Sequence, residues 1–144
     1  MAILKISSHA KSETNARTVV EARGFKMIID EPENMGGSNI GANPVEYVLA
    51  ALSGCLNVVG HLVAKEMGFE LRGVEIDMVG ELDPAKLMGQ KTEKRAGFSK
   101  VNVTMTPDTD ADEATKEKWL EEVEARCPVS DNLVNPTPIN IILG

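Results

Sequence analysis

The feature that most constrains the fold is a long apolar stretch over residues 43–67, NPVEYVLAALSGCLNVVGHLVAKEM. Asn43 followed by Pro44 is typical of a helix start, because the Asn side chain caps free N–H groups and Pro suits the first helical position. Glu46, three residues after the cap, matches the second half of a capping box, and Gly68 is a typical stop. Apolar or small residues occupy nearly every side of this helix, which predicts burial on most of its faces.

The same stretch must be weighed as a membrane span, because about twenty apolar residues are enough to cross a bilayer. Four polar or charged residues interrupt it: Glu46, Ser53, Asn57 and His61. No second stretch of the chain resembles a span. We therefore expect the core helix of a soluble protein, and no membrane partner.

The overall composition narrows the classes of partner. A chain of 144 residues is large enough for a core, and we expect one domain over residues 1–144. The net charge of -7 argues against nucleic acid as a partner, and an aromatic content of 3% leaves few rings on which bases could stack. Residues 1–7 lack the features of a signal peptide, so we expect a cytoplasmic protein, in which a purely structural disulfide would be unusual.

The remaining segments predict strands and one further helix. Strand-like composition or alternation occurs in six segments: 3–6, 17–22, 25–29, 71–82, 98–105 and 139–143. The second and third should form a hairpin around Arg23-Gly24. Residues 30–42 predict a turn-rich loop that leads into the long helix, and residues 86–95 predict a connection without regular structure.

A second helix should follow a cap at Asp108 or Thr109, with acidic residues in its first turn. Its narrow apolar stripe of Trp119, Leu120 and Val123 predicts a surface helix. The resulting order, β-β-β-α-β-β-α-β, predicts an α+β fold with antiparallel pairing. One chain of this length would struggle to cover a helix that is apolar nearly all round, so we expect a dimer that forms through the long helix.

The two cysteines are the strongest candidates for reactive side chains. Cys55 and Cys127 are 72 residues apart (127 minus 55), which excludes a local C-x-x-C metal motif, and His9 and His61 show no ligand spacing. We therefore expect no metal site. Cys55 can be a small core residue and Cys127 a helix-end residue, because Cys is among the most buried residue types.

A reactive role is the alternative for both thiols. Cys127 stands directly before Pro128 and can cap a short helical turn, where free N–H groups face its sulfur. Cys55 lies in the middle of its helix, so a thiolate there would need a nearby cation. Arg17, at the start of a strand, is the candidate for that cation.

Two motifs resemble the OsmC/Ohr family. The first is made of Gly36-Gly37, Gly41-Ala42-Asn43-Pro44-x-Glu46 and Ala50-Ala51-Leu52-x-Gly54-Cys55, and the second is Cys127-Pro128-Val129-Ser130. The similarity runs through most of the chain. It implies an OsmC-like α+β fold with antiparallel sheets around a long buried central helix, assembled as an intertwined homodimer. It also implies a cysteine-dependent peroxidase that reduces organic hydroperoxides, and hydrogen peroxide as a further substrate, at the subunit interface.

The resemblance assigns a role to three residues. Cys55 matches the peroxidatic cysteine, Cys127 the resolving cysteine, and Arg17 the arginine that holds the first cysteine as thiolate and binds the peroxide. The implied cycle passes through a Cys55 sulfenic acid and a Cys55–Cys127 disulfide, which an external dithiol of lipoyl type reduces. No cofactor is implied. Two alternatives stay open: a non-catalytic module that binds an apolar small molecule, and a redox sensor whose disulfide alters a partner contact.

One position departs from the family pattern. The family's glutamate that pairs with the arginine commonly follows Asn-Pro directly, and this chain has Val45 there. Glu46 is the nearby carboxylate, but it points to the far side of the helix from Cys55 and lies roughly 14 Å away along the axis. It could meet a Cys55 site only across a dimer. We expect Glu46 to act as a capping acid, with a catalytic role as the alternative, and Arg17 to be held less firmly than in the family.

Overall fold

A computed structural model describes residues 1–144 of the chain. It contains five strands and three α-helices. They are β1 (His9–Ser12), β2 (Thr18–Ala22), β3 (Phe25–Ile29), α1 (Pro44–Met67), β4 (Gly73–Leu82), β5 (Phe98–Asp108), α2 (Glu113–Arg126) and α3 (Pro128–Val134). By its internal contacts the chain divides into an N-terminal unit, Met1–Ala50, and a C-terminal unit, Ala51–Gly144. The strands form two antiparallel sheets, so the predicted α+β class is confirmed.

The N-terminal unit contains a three-stranded sheet in the order β1-β2-β3. Strands β2 and β3 form a hairpin whose register runs from Thr18 opposite Ile29 to Ala22 opposite Phe25. The two turn residues between them have positive φ angles, 52° at Arg23 and 85° at Gly24. Such angles occur in the tight hairpin turns whose twist matches that of the strands. The predicted hairpin is confirmed.

Two predicted strands, at residues 3–6 and 139–143, are wrong. Neither segment has regular structure or belongs to either sheet, and the first strand of the chain is instead β1. The apolar side chains of both segments are exposed: Ile3, Leu4, Ile6, Ile139, Ile141, Ile142 and Leu143. Strand-like composition is not sufficient, because a strand also needs a neighbour for its N–H and C=O groups.

Helix α1 begins with the capping box that the sequence predicts. Asn43 Oδ1 accepts the Glu46 N–H at 2.9 Å, and Glu46 Oε1 accepts the Asn43 N–H at 3.0 Å. The helix ends before Gly68, whose φ of 80° turns the backbone out of the helix. Its length and mean hydropathy of 1.7 would fit a membrane span, but the core helix of a soluble protein passes the same test.

The C-terminal unit pairs β4 with β5 in an antiparallel ladder that runs from Gly73 opposite Asp108 to Leu82 opposite Phe98. The predicted cap of α2 at Asp108 or Thr109 is wrong, because Asp112 caps this helix by accepting the Thr115 N–H at 2.8 Å. The two expected caps have other partners. The Asp108 carboxylate binds Arg72, and the Thr109 hydroxyl donates to the Glu70 carbonyl at 2.6 Å.

Helix α2 packs on α1 through its tryptophan. The Trp119 side chain is buried, and its Nε1–H donates to the Gly60 carbonyl at 2.8 Å. Val123 is buried as well, whereas Leu120 is exposed, so the inward stripe is narrower than predicted. The core of this unit consists of Leu52, Leu56, Val59, Val63, Ala64, Trp119, Val123 and Cys127.

Candidate active site

Cys127 lies at the junction of α2 and α3 and is 1% exposed. Pro128 occupies the first turn of α3, and the Cys127 sulfur accepts the Ser130 N–H at 3.4 Å. The predicted capping role of this cysteine is therefore confirmed. The preceding residue, Arg126, donates through both terminal nitrogens to the Glu66 carboxylate of α1, which fixes the end of α2 beside the first cysteine's helix.

The fold brings the two cysteines together. Cys55 sits in the middle of α1, half-buried, and its Sγ lies 2.9 Å from the Sγ of Cys127. Both residues are free thiols in this structure. A disulfide has its sulfurs about 2.05 Å apart, so oxidation of this pair requires a movement of less than about 1 Å. The arrangement is suited to reversible dithiol–disulfide chemistry.

The electrostatic setting of Cys55 has opposing components. Burial raises the pKa of the Cys55 thiol above its usual value, and the hydrogen bond with Cys127 raises the pKa further. The Val129 N–H, in the first turn of α3, also hydrogen-bonds this sulfur and lowers the pKa. The start of α3 thus supplies one N–H donor to each sulfur, through Val129 and Ser130. The sequence indicated such donors through the Cys-Pro start of this helix.

Arg17 closes the turn between β1 and β2, and its backbone is fixed on both sides. Its carbonyl accepts the N–H groups of Glu13 at 2.9 Å and Thr14 at 3.3 Å. Its own N–H donates to the Thr14 hydroxyl at 2.8 Å. The turn therefore fixes the backbone position from which the Arg17 side chain projects.

The guanidinium of Arg17 lies between two carboxylates. Its Nη1 is 3.6 Å from Glu13 Oε2, and its Nε is 3.7 Å from Asp30 Oδ2. Asp30 is thus a carboxylate partner for Arg17 that the sequence analysis did not offer, although the Arg17 Nε–H makes no hydrogen bond. That Arg17 is held less firmly than in the family stays a prediction. Glu46 is engaged in the capping box at the start of α1.

Asp30 is a residue that the sequence analysis did not single out. It is 0% exposed, and its carboxylate accepts the N–H groups of Glu31, Ser38 and Ile40 at 2.9, 3.2 and 3.3 Å. Burial acts to raise the pKa of Asp30, but these three N–H groups and the charge of Arg17 outweigh it, so the pKa lies below its usual value. The signal in the sequence was an acid directly after an apolar strand.

The four predicted site residues thus fall into two groups. Cys55 and Cys127 meet within the C-terminal unit, whereas Arg17 and Glu46 belong to the N-terminal unit. No group of three or more His, Cys, Asp or Glu side chains is placed to hold a metal ion.

Comparison with known proteins gives a consistent result. A family model described as OsmC-like protein matches residues 36–142. No curated protein matches the sequence significantly. Among solved structures, an OsmC-like protein from Mycoplasma pneumoniae superposes with a TM-score of 0.80 at 16% identity, covering 92% of this chain and 89% of that one.

Two further structures are described as organic hydroperoxide resistance proteins. The one from Legionella pneumophila has a TM-score of 0.64 at 20% identity and covers 92% of this chain and 91% of its own. The one from Elizabethkingia anophelis, with thiocyanate bound, has a TM-score of 0.67 at 17% identity and covers 94% of this chain and 91% of its own. At these identities the likeness establishes the fold.

Proposed function

Because this chain belongs to the OsmC-like protein family, we propose that it is a thiol peroxidase that reduces organic hydroperoxides. The observation that carries the proposal is the pair of free thiols, Cys55 and Cys127, with their sulfurs 2.9 Å apart. Proteins of the same fold from two bacteria are described as organic hydroperoxide resistance proteins, which supports this choice of substrate.

The first chemical step takes place at Cys55. Its thiolate attacks the distal oxygen of the hydroperoxide, the O–O bond breaks, and the alkoxide leaves and takes up a proton to become an alcohol. Cys55 is thereby oxidised to a sulfenic acid. Since the thiolate is the nucleophile, the raised pKa of Cys55 means that a cation is needed for a fast reaction at neutral pH. We propose Arg17 for that role.

The second step uses the short distance between the sulfurs. The Cys127 sulfur attacks the Cys55 sulfur, hydroxide leaves and is protonated to water, and a disulfide forms. An external dithiol, of lipoyl type in this proposal, then returns both cysteines to thiols and becomes a disulfide itself. The buried position of Cys127 beside its partner suits the resolving role better than the attacking one.

We also propose that the working protein is a homodimer. Two segments with strand-like composition, 3–6 and 139–143, expose their apolar side chains, and α1 exposes Val58 and Leu62. Burial of apolar surface is favourable by about 25 cal/mol per Å². A second copy of the chain could provide both the missing strand neighbours and a cover for α1.

The test is a peroxidase assay with cumene hydroperoxide and dihydrolipoamide on three proteins: wild type, Cys55→Ser and Cys127→Ser. We expect wild type to turn over, Cys55→Ser to be inactive because a serine hydroxyl is a far weaker nucleophile, and Cys127→Ser to consume one equivalent and stop. Loss of the first oxidation in Cys127→Ser but not in Cys55→Ser would reverse the two roles. Disulfide formation in wild type without turnover would favour a redox sensor. The absence of any reaction with the peroxide would favour a module that only binds a small molecule.

A further inference from the structure

The loop between β3 and α1 contains a buried charged group to which the chemical steps described above assign no role. Asp30 is the only charged side chain that is fully buried, and it lies in the N-terminal unit together with Arg17. Burial of an unpaired carboxylate is very costly, so such a group is retained only where its surroundings compensate.

The loop is folded so that its backbone surrounds this carboxylate. The Asp30 N–H donates to the Ala42 carbonyl, and the Asn39 N–H donates to the Glu31 carbonyl, which folds the loop back on its own start. Gly37 permits this path, because a Cβ there would lie 1.9 Å from the Glu31 carbonyl oxygen. As a result, the N–H groups of residues 31, 38 and 40 all donate to Asp30.

The two carboxylates beside Arg17 differ in how firmly they are held. Glu13 is half exposed and approaches the terminal Nη1, so solvent screens this contact and its side chain can leave. Asp30 is fixed by three backbone donors and faces Nε, which is itself buried and has no hydrogen-bond partner. Of the two carboxylates, Asp30 is therefore the one whose own position is fixed.

We propose that Asp30 is the positioning residue for Arg17, in place of the glutamate that the family pattern puts at position 45. The inference rests on the proposed function, because Arg17 is the cation of the proposed peroxide site. A purely structural acceptor for three N–H groups need not be charged. An ionised carboxylate in this position is explained by the cation that it faces.

A double-mutant cycle tests the proposal, with the second-order rate of Cys55 oxidation by cumene hydroperoxide as the readout. In the wild-type background, Asp30→Asn should lower this rate roughly 10- to 100-fold, because misplacement by about 1 Å has effects of that size. In the Arg17→Ala background, Asp30→Asn should cause no further loss. The matched control is Glu13→Gln, which removes the exposed carboxylate beside the same arginine and should change the rate by about twofold or less.

A second readout does not depend on peroxide. The pKa of Asp30, followed by NMR, should rise in Arg17→Ala because the pairing charge is gone. If Asp30→Asn does not fold, Asp30→Glu replaces it in the cycle; it keeps the charge but displaces it, so it should lower the rate only when Arg17 is present.

The outcomes separate the two proposals. Three results would each overturn the positioning role. The rate of Cys55 oxidation could be unchanged in the Asp30 variant, or could fall equally with and without Arg17. The pKa of Asp30 could also be the same in Arg17→Ala as in wild type. A wild-type protein whose Cys55 does not react with peroxide would instead overturn the proposed function, and with it any catalytic purpose of the pair. The Asp30 pKa would then still report whether the two residues are coupled.

Discussion

Cys55 illustrates how a single residue is governed by neighbours that the sequence places far from it. Its side chain packs against the core of the C-terminal unit, and its sulfur lies 2.9 Å from a thiol that is 72 positions away in the chain. The Val129 N–H acts against both of these influences on the pKa. The reactivity of Cys55 therefore depends on α3 as much as on its own helix.

We expect Cys127→Ala to lower the pKa of Cys55. The substitution removes the thiol whose hydrogen bond and charge both raise the pKa of Cys55. The thiolate is the species that iodoacetamide alkylates, so the midpoint of Cys55 alkylation against pH should move to lower pH than in wild type. Mass spectrometry of the Cys55 peptide gives the rate at each pH.

The control for this experiment is Cys127→Ser, which keeps a polar group at the cap of α3 and should shift the midpoint less. A midpoint that moves to higher pH in Cys127→Ala would show that loss of the cap also removes the Val129 N–H from the Cys55 sulfur. The balance of influences described above would then be wrong.

At the scale of the elements, the contact between α1 and α2 holds the dithiol in place. Trp119 donates a hydrogen bond to the Gly60 carbonyl, and Arg126, the neighbour of Cys127, binds Glu66. The guanidinium also lowers the pKa of Glu66, chiefly through their hydrogen bonds. Because Cys127 directly follows α2, the packing of α2 on α1 determines how close the two sulfurs come.

We expect Gly60→Ala to lower the free energy of unfolding by about 1–3 kcal/mol, as overpacking of a filled core usually does. A Cβ on Gly60 would lie 3.1 Å from Trp119 Cζ2, and the ring cannot retreat without weakening its hydrogen bond to the Gly60 carbonyl. Urea denaturation measures the change.

Gly54→Ala is the matched control on the same helix. A Cβ there would meet no atom within 4 Å, so the substitution should be neutral or stabilise by up to about 1 kcal/mol through higher helix propensity. Equal effects of the two substitutions would show that the Trp119 contact does not limit the space at Gly60.

The sequence predicted those elements whose causes are local. The hairpin follows from a two-residue turn, and the start of α1 follows from Asn43 and Glu46, which lie three residues apart. The closeness of Cys55 and Cys127 was implied only by the family resemblance, because no local rule joins residues so far apart. Asp30 was missed for the same reason, since its surroundings come from a folded loop and from another turn.

At the scale of the whole molecule, the two wrongly predicted strands show that composition alone does not determine which segments form strands. Residues 3–6 and 139–143 have the apolar content of strands, but a strand forms only beside a partner, and neither sheet of this chain provides one. Their exposure is the main reason to expect a second copy.

We expect light scattering at micromolar concentration to give twice the chain mass of 15.5 kDa. Ile139→Asp combined with Ile141→Asp should shift the mass toward that of one chain, because both side chains are exposed and apolar in the single chain. Asn140→Asp, a charge added between them, should leave the mass unchanged. A wild-type protein with the mass of one chain would contradict the proposed homodimer.

The single tryptophan of the chain gives the molecule a spectroscopic property of its own. Trp119 is buried between α1 and α2, with its Nε1–H bonded to Gly60, and the chain contains one tyrosine besides. Fluorescence excited at the red edge of indole absorption therefore arises from one known place, eight residues before Cys127. Any opening of this contact during oxidation or unfolding would hydrate the ring and move its emission to longer wavelength, so the unmodified protein already carries a reporter for the helix that presents its second cysteine.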